Sequence, residues 1–351
     1  MPCGKNGQRF SQSHFKLSFA AGFNYFFNKQ SVTQKTVFMS SPLSQLPPRK
    51  IRDLTREFLL AKLADYFHAP PAGEIVKTHY SLWRCMETGL EFCDPPLPGN
   101  SAFYEWVSGF ASYYPGFRWE YGEVARILKS EKIAAPDFKV LDVGCGKGDF
   151  LRALDFLPAQ NKFALDLNEP AIRVCREQGF NAFCGTVEPA IAAGFLKPGD
   201  FPVVTSFHCL EHVSQAAEFV RELLRVTAPG GKLFLSTPYS PMSFERDWFD
   251  VLNHPPHHMT RWNLAAYRKL AEILGVKMRH FAPRNRPLKQ ALQTFRLKTY
   301  GPNVNVSRAA LLKDLLFRAP QFFAGWRRLR QRARSHENGG ADVILIEFTI
   351  L

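Results

Sequence analysis

The sequence lacks the features of a membrane-spanning or disulfide-stabilised protein. No apolar run reaches the roughly 18 residues that a membrane-spanning helix requires. The seven cysteines are odd in number and scattered along the chain, which argues against a disulfide framework. Reduced thiols of this kind are typical of a cytosol-like compartment. We therefore expect a cytoplasmic protein, either free or peripheral to a membrane.

Acidic residues are absent from residues 1–50 and scarce in a second segment near the carboxyl terminus. The first segment holds seven Lys or Arg, and residues 282–340 hold thirteen against Asp314 and Glu337. The net charge of +14 therefore lies mainly in two appendages, and the rest of the chain is close to neutral. A uniformly basic domain, as expected of an RNA-modifying enzyme, does not fit this distribution.

The length of 351 residues exceeds that of a typical single domain. We interpret residues 1–50 as disordered or as an extension upstream of a natural start at Met39; a targeting segment is the alternative. Residues 51–136 form a second region, in which helical spacing of apolar residues predicts a helix over 51–67. A small hairpin is expected within 84–94. Three aromatic groups, at 103–106, 113–115 and 119–121, either pack this region onto the rest of the chain or line a pocket.

An apolar run that ends in a glycine-rich turn is the most specific motif. Residues 139–150, KVLDVGCGKGDF, predict a buried strand, a tight turn and a helix that begins near Asp149. Two phosphate-binding loops are excluded, because the dinucleotide fingerprint would need glycine at 149 and a P-loop would need Gly-Lys-Ser/Thr. Asp142 places a carboxylate at the strand tip, where it suits a ligand with a positively charged amine.

At this motif the chain resembles the class I S-adenosylmethionine (SAM) dependent methyltransferases, in which such a loop wraps the methionine end of the cofactor. Further elements follow in the order that the resemblance implies. Asp166 ends an apolar run 18 residues after Gly148, where an acid accepts both ribose hydroxyls. Asn168 is expected to cap the next helix. Strands are expected at 181–184, 202–207 and 232–238, and the loop at 185–188 borders the adenine in the family.

Alternating strands and helices predict an α/β fold. This alternation also favours a mostly parallel sheet. The resemblance implies a Rossmann-like sheet of seven strands that closes with an antiparallel C-terminal hairpin, formed by 276–281 and 342–350, and an N-terminal helical and aromatic cap over 51–136. The methyltransferase domain would span 137–351, with SAM as its cofactor. Contacts to the cofactor are predicted for Asp142, Val143, Gly144, Cys145, Gly146, Gly148, Asp166, Leu167, Val187, Glu188, Phe207 and His208.

Two histidine-bearing segments follow the fourth and fifth strands, where the resemblance places acceptor-facing residues. The first, 208–212, is similar to the E-x-x-E-H stretch that holds a divalent ion in quinone-pathway O-methyltransferases, but His208 replaces its first glutamate. In the second, 253–262, Thr260 is expected to cap a helix that begins near Trp262. Structural roles are the alternative, and no metal site is predicted. The candidates for a base or an acceptor contact are Glu211, His212, His257 and His258.

A basic insertion at 284–340 separates the two strands of the C-terminal hairpin. Apolar residues at 311–317 and 322–326 precede a densely basic run at 327–334. This pattern predicts an amphipathic helix that contacts an anionic membrane surface or an acidic partner; a lid or a solvated helical pair is the alternative.

Together these features predict a SAM-dependent methyltransferase that acts on an oxygen of a small-molecule, quinone-like or saccharide acceptor. A nucleic-acid or protein methyltransferase that docks through the basic appendages is one alternative. Nucleic acid is the less expected substrate, because the N-P-P-Y or D-P-P-Y signature of amino-group methylation is missing after the fourth strand. A SAM-binding scaffold without catalysis is the other alternative. The sequence does not predict the oligomeric state.

Overall fold

The computed structural model describes residues 40–71, 74–110, 116–131 and 138–351. The predictions for residues 1–39, including a start at Met39, and for the aromatic group at 113–115 lie outside these residues. Within the described ranges, no helix is long and apolar enough to cross a membrane.

The region before the glycine motif combines a small antiparallel sheet with helices. Strand β1 spans Arg49–Leu54, helix α1 Arg56–Phe67, β2 Tyr80–Arg84, β3 Glu91–Asp94, α2 Ser101–Ser108 and α3 Trp119–Ser130. The strands pair in the order β1-β2-β3, and a two-residue strand from far along the chain, Thr260–Arg261, adds to β3. The expected hairpin within 84–94 is present, as the pair β2 and β3.

Two predictions in this region need correction. The helix expected over 51–67 begins only at Arg56, because residues 49–54 pair with β2 as a strand and Thr55 caps the helix by accepting a hydrogen bond from the Phe58 N–H. Helical spacing of apolar residues could not reveal that pairing partner. The cap is therefore not purely helical, since an antiparallel sheet forms part of it.

The central sheet is built from the glycine-motif strand and the strands that follow it. In chain order the elements are β4 (Val140–Val143), α4 (Asp149–Ala153), β5 (Lys162–Asp166), α5 (Glu169–Glu177), β6 (Asn181–Cys184), α6 (Val187–Ala192), β7 (Phe201–Phe207), α7 (Ala216–Val226) and β8 (Thr227–Pro238). The predicted strands and the Asn168 cap of α5 are confirmed, with β7 and β8 beginning slightly earlier than expected.

The remaining elements close this sheet. They are β9 (Thr260–Arg261), α8 (Leu264–Leu274), β10 (Lys277–Phe281), α9 (Pro287–Tyr300), α10 (Arg308–Phe317), α11 (Ala319–Ser335) and β11 (Val343–Thr349). The seven strands lie in the order β10-β11-β8-β7-β4-β5-β6, with β10 and β11 antiparallel to their neighbours and the others parallel. The predicted fold class, including the C-terminal hairpin, is confirmed. The basic insertion forms the three helices α9 to α11.

One helix start differs from the prediction made for the second histidine segment. Thr260 lies in β9 rather than at a helix N-terminus. Asn263 caps α8 instead, by accepting a hydrogen bond from the Ala266 N–H. The addition of β9 to β3 holds residues 260–261 extended, so the helix starts two residues later than near Trp262.

Packing joins the second histidine segment to the N-terminal region. The buried core of that region contains Leu59, Leu63 and Phe103 from α1 and α2, together with Met259 from the histidine segment and Val251, which lies two residues before it. Burial of apolar side chains is worth about 1.5–3 kcal/mol for each large residue. Contacts with the N-terminal region therefore hold the second histidine segment beside the central sheet.

Candidate functional site

The glycine turn lies where β4 ends and α4 begins, as predicted. Gly144 has φ +77°, and a Cβ there would lie 2.1 Å from the Sγ of Cys209. Gly146 has φ +52°, and a Cβ there would meet no described atom within 4 Å. The turn is thus packed against the protein at Gly144 and open at Gly146, which leaves room for a ligand beside its backbone.

Two carboxylates flank this turn at the ends of adjacent parallel strands. Asp142 is 2% exposed and accepts a hydrogen bond of 2.7 Å from the hydroxyl of Thr205. Asp166 accepts hydrogen bonds from the backbone N–H groups of Gly146, at 2.8 Å, and Asn168, at 2.9 Å. The sequence-predicted acids therefore lie on either side of one turn, as expected for strands whose carboxyl ends share an edge.

Burial decides the protonation of both acids. It raises the pKa of Asp142 to about 7, against the opposing effect of the Thr205 hydrogen bond. It also raises the pKa of Asp166, although the backbone N–H donors offset part of that shift. A ligand that brings positive charge or hydroxyl donors to this crevice would stabilise the ionised forms.

The other predicted cofactor contacts differ in their surroundings. Val143, Cys145 and Val187 are buried in the cores on the two faces of the sheet. Phe207 at the end of β7 packs against Phe150, with ring centroids 4.8 Å apart. Gly148 precedes α4 and lies against Phe180. The Leu167 carbonyl accepts a hydrogen bond from the Cys184 thiol. Glu188 forms an ion pair with Arg225.

His208 forms a buried charged group with two glutamates. Its backbone has φ +53°, a left-handed conformation that is uncommon outside glycine. Its Nε2 donates to Glu120 at 2.7 Å and its Nδ1 donates to Glu211 at 3.2 Å. Burial lowers the pKa of His208, but the two glutamates outweigh burial and leave that pKa above its usual value. The imidazolium form therefore satisfies both carboxylates.

Three histidines from the two predicted segments converge next to this group. His212 lies in a short 3-10 turn after β7, and His257 and His258 lie on the loop before β9. One ring nitrogen of each histidine lies within 4.8 Å of a ring nitrogen of each of the other two. His254, from the same loop, points elsewhere and lies 3.3 Å from the guanidinium of Arg261.

Hydrogen bonds fix the orientation of these three rings. The Nδ1–H of His212 donates to the His257 carbonyl at 2.7 Å, and that of His257 to the Leu252 carbonyl at 2.8 Å. His258 donates from Nδ1 to the Asn253 Oδ1 at 3.0 Å. The Asn253 amide is itself oriented, because its nitrogen donates to Glu245. Each Nδ1 therefore carries the proton, and in the neutral ring each Nε2 carries a lone pair.

Burial keeps the three rings neutral near pH 7. It lowers the pKa of His212, against the opposing charge of Glu211. It lowers the pKa of His257 and His258 further, with the neighbouring histidines adding to the effect. The site thus holds one charged histidine, His208, beside three neutral ones.

Residues of the N-terminal region hold the histidine loop in place. The Met259 N–H donates to the Glu211 carbonyl at 2.7 Å, and the Cys93 N–H donates to the Met259 carbonyl at 3.0 Å. Arg261 is 4% exposed and forms ion pairs with Glu91, at 2.7 Å, and with Glu245. These contacts join β3, the 3-10 turn and the loop into one unit.

Several residues of the site were not predicted from the sequence. Glu120 was noted only as part of an aromatic group, and nothing in its local pattern indicated a partner 88 positions along the chain. The ion-pair residues Glu91, Glu245 and Arg261 carried no motif. A buried acid inside an otherwise amphipathic helix, as Glu120 is in α3, is the signal that would have pointed to a polar partner.

Comparison with known proteins supports a methyltransferase domain in this chain. Residues 118–280, less than half of the chain, match a family model described as a methyltransferase domain. The match includes the glycine turn and the parallel strands of the central sheet. It agrees with the resemblance of residues 139–150 to the class I SAM-dependent methyltransferases.

Curated relatives match over part of their length. The chain is 35% identical over 109 residues to the ubiquinone biosynthesis O-methyltransferase of Xanthomonas campestris. This match covers 30% of this chain and 45% of that protein. It is 37% identical over 103 residues to the same enzyme of Methylococcus capsulatus, covering 28% of this chain and 43% of that one. The chain thus spans less than half the length of these relatives.

Solved structures match more broadly and less closely. A SAM-dependent methyltransferase from Archaeoglobus fulgidus is 18% identical, with a TM-score of 0.42, and the match covers 65% of this chain and 94% of that one.

Proposed function

We propose that this chain transfers a methyl group from SAM to an oxygen atom of a small-molecule acceptor, either quinone-like or saccharide. The observation that carries the proposal is the pair of carboxylates, buried Asp142 and half-buried Asp166, on either side of an open glycine turn. Both gain from a ligand that offers positive charge and hydroxyl donors, and SAM offers both. The names of the matched relatives support oxygen as the methylated atom.

The residues around the crevice fit the two ends of this cofactor. We assign its amino group to Asp142 and the turn at 144–148, its ribose hydroxyls to Asp166, and its adenine to the segment at 187–188. Val143, Cys145, Leu167, Phe207 and His208 complete the walls of the site. When bound, SAM supplies an electrophilic methyl group on a sulfonium sulfur. The task that remains for the protein is to align the acceptor, exclude water and remove the acceptor's proton.

The acceptor side of the site is assigned to Glu211, His212, His257 and His258. An acceptor hydroxyl has to lose its proton as the methyl group is transferred. The three neutral imidazoles offer lone pairs near pH 7, whereas His208 is held as an imidazolium by Glu120 and Glu211. His212 is the most exposed of the three and is the one we place closest to the acceptor.

Aromatic side chains beside the histidines support an acceptor with a planar ring. The ring of Tyr104 lies 6.4 Å from that of His212 and 6.1 Å from that of His257, measured between centroids. Phe103 lies 6.0 Å from His257, but it is fully buried in the core of the N-terminal region. A ring such as that of Tyr104 stacks on an aromatic acceptor more favourably than on an aliphatic one. A quinone-like phenol is therefore the acceptor we test first.

Transfer of an isotopically labelled methyl group tests this proposal. Purified protein is incubated with labelled SAM and either phenolic precursors of quinones or oligosaccharides, and products are analysed by mass spectrometry. We expect an O-methylated phenol with the wild type and with Asp155→Asn, an exposed control, but not with Asp166→Asn. Cofactor binding without product from any acceptor would favour a scaffold. Methylated RNA or protein would favour the other alternative.

We also propose that the helices α9 to α11 dock on an anionic membrane surface. In α10 no residue is buried, and Leu316 and Phe317 are 71% and 87% exposed. On α11, Arg327, Arg330 and Arg334 are exposed close to these apolar residues in the chain. Exposed apolar and cationic side chains on the same helices are the combination that binds the interface of anionic lipids.

Vesicle co-sedimentation tests this second proposal. We expect wild-type protein to bind vesicles that contain anionic lipid and to bind neutral vesicles more weakly. The change Phe317→Ser should reduce binding, whereas Ile273→Ser, at an exposed apolar residue of α8, should not. Equal binding by both variants would contradict the proposal, as would binding only to an acidic protein partner.

A further inference from the structure

We propose that His212, His257 and His258 bind one divalent transition-metal ion, most suitably Zn²⁺. The sequence predicted no metal site, because the histidines within 254–258 are too irregularly spaced to form a ligand set by themselves. The fold changes this by bringing His212 from a different segment against two of them. The ion-binding atoms would be the Nε2 atoms, since each Nδ1–H already donates to an oxygen.

The three ring nitrogens lie somewhat farther apart than the ligands of a bound ion would. The potential ligand atoms all lie within 4.8 Å of one another. At a Zn–N distance of about 2.0–2.1 Å, tetrahedral ligands are about 3.4 Å apart. Binding of an ion would draw the three ring nitrogens closer together than they are in the structure. The rings of His257 and His258 are stacked, with centroids 4.5 Å apart.

The hydrogen bonds behind the rings are those that a histidine metal site requires. A ligating imidazole usually donates its second nitrogen to a carbonyl or carboxylate, which fixes its tautomer and its direction. Here the acceptors are the carbonyls of His257 and Leu252 and the amide oxygen of Asn253. Asn253 is held in turn by Glu245. The rings are therefore set in place before any ion binds.

A neighbouring carboxylate independently favours a cation. Glu211 is 1% exposed, and its Oε2 finds no hydrogen-bond partner among the described residues. Its other oxygen accepts from the Nδ1–H of His208 at 3.2 Å. A buried carboxylate oxygen that lacks a donor is stabilised by a positive ion close to it.

The donor set selects the class of metal. Imidazole nitrogens suit Zn²⁺, Fe²⁺, Co²⁺ and Ni²⁺, whereas Mg²⁺ and Ca²⁺ prefer oxygen ligands. His208 pairs with both Glu120 and Glu211, so these residues do not form an oxygen-rich site with His212. Three protein ligands leave one position of a tetrahedral ion for the acceptor oxygen, and a bound hydroxyl loses its proton more readily. This last role rests on the proposed function, whereas metal binding does not.

Metal binding by the untagged full-length chain tests the proposal directly. The metal content of the purified protein is measured, and metal-free protein is then titrated with Co²⁺ alone, which absorbs visibly in a nitrogen-ligand site. We expect one equivalent of metal per chain, displacement of Co²⁺ by Zn²⁺, and no displacement by a large excess of Mg²⁺. Absence of both binding and visible absorption in folded protein would overturn the proposal.

Three variants locate the site. His212→Gln should abolish the Co²⁺ absorption, and Asn253→Ser, which removes the oxygen behind His258, should weaken binding about 10–100-fold. His79→Gln, at an exposed histidine, should bind as the wild type does. Equal affinity in all three variants would place the metal elsewhere and overturn the proposal. Binding of S-adenosylhomocysteine is measured in each variant, because its retention shows that the domain is folded and its loss from the wild type would count against the proposed function alone.

Discussion

The proposed cofactor side and the proposed acceptor side of the site differ in both charge and construction. On the cofactor side, carboxylates at the ends of β4 and β5 flank a turn that is contiguous in sequence. On the acceptor side, neutral imidazoles come from segments 45 residues apart and are held by the N-terminal region. Anionic walls suit a sulfonium cofactor, and lone pairs suit a hydroxyl or a metal ion. One half of the site is therefore formed by a local sequence motif, and the other half is formed by tertiary packing.

The largest expected effect separates the two sides kinetically. His212→Gln should lower the rate of methyl transfer about 10²–10⁴-fold, because the variant lacks the imidazole that accepts the proton of the acceptor hydroxyl. The same variant should bind S-adenosylhomocysteine as the wild type does, since its side chain is on the acceptor side. Single-turnover rates and calorimetric titrations measure the two effects. A parallel loss of both would mean that the sides are not separable.

The second prediction concerns the clamp on the acceptor side. Arg261→Met should lower the free energy of unfolding by about 3–5 kcal/mol, because it leaves Glu245 without its buried countercharge and leaves Glu91 paired with Arg84 alone. Arg126→Met, which breaks an exposed pair with Glu123, should cost less than about 1 kcal/mol. Urea unfolding measures both. Similar values for the two variants would show that the buried ion pairs do not hold the loop.

The smallest expected effect is the opposite titration of neighbouring histidines. With ¹⁵N-labelled rings assigned through single variants, His208 should remain an imidazolium above its usual pKa of about 6.5, and His212, His257 and His258 should remain neutral below it. Because folding raises the pKa of His208, its protonation stabilises the folded state fully below about pH 6.5. That stabilisation is lost as the pH rises through the folded-state pKa. The other three lower stability as the pH falls below about 6.5. Titration of all four rings together would contradict this.

The local parts of the molecule could be predicted from the sequence. A buried strand followed by glycines, an acid at the next strand end and the Asn168 cap each depend on residues a few positions apart. The mostly parallel sheet of seven strands followed from the same elements and the resemblance. The C-terminal hairpin was also predicted, although three helices separate its strands, because the resembled family closes its sheet with such a hairpin.

The parts that the sequence did not predict all depend on distant partners. β1 is a strand because β2 pairs with it, and residues 260–261 are extended because β3 lies beside them. Glu120 meets His208 through packing of α3 on the sheet, and Arg261 meets Glu91 through the small antiparallel sheet. None of these pairs has a spacing that a single sequence reveals. The roles of Glu211 and the three histidines therefore remain predictions that the acceptor-side variants test.

Calorimetric titration with S-adenosylhomocysteine tests the central claim most directly. The account predicts saturable binding at one site per chain, retained by Asp155→Asn and weakened at least about tenfold by Asp166→Asn, because a charged acceptor of two hydroxyl donors becomes a neutral amide. Absence of binding by folded wild-type protein, or equal binding by the two variants, would contradict the assignment of the crevice between β4 and β5 as the cofactor site.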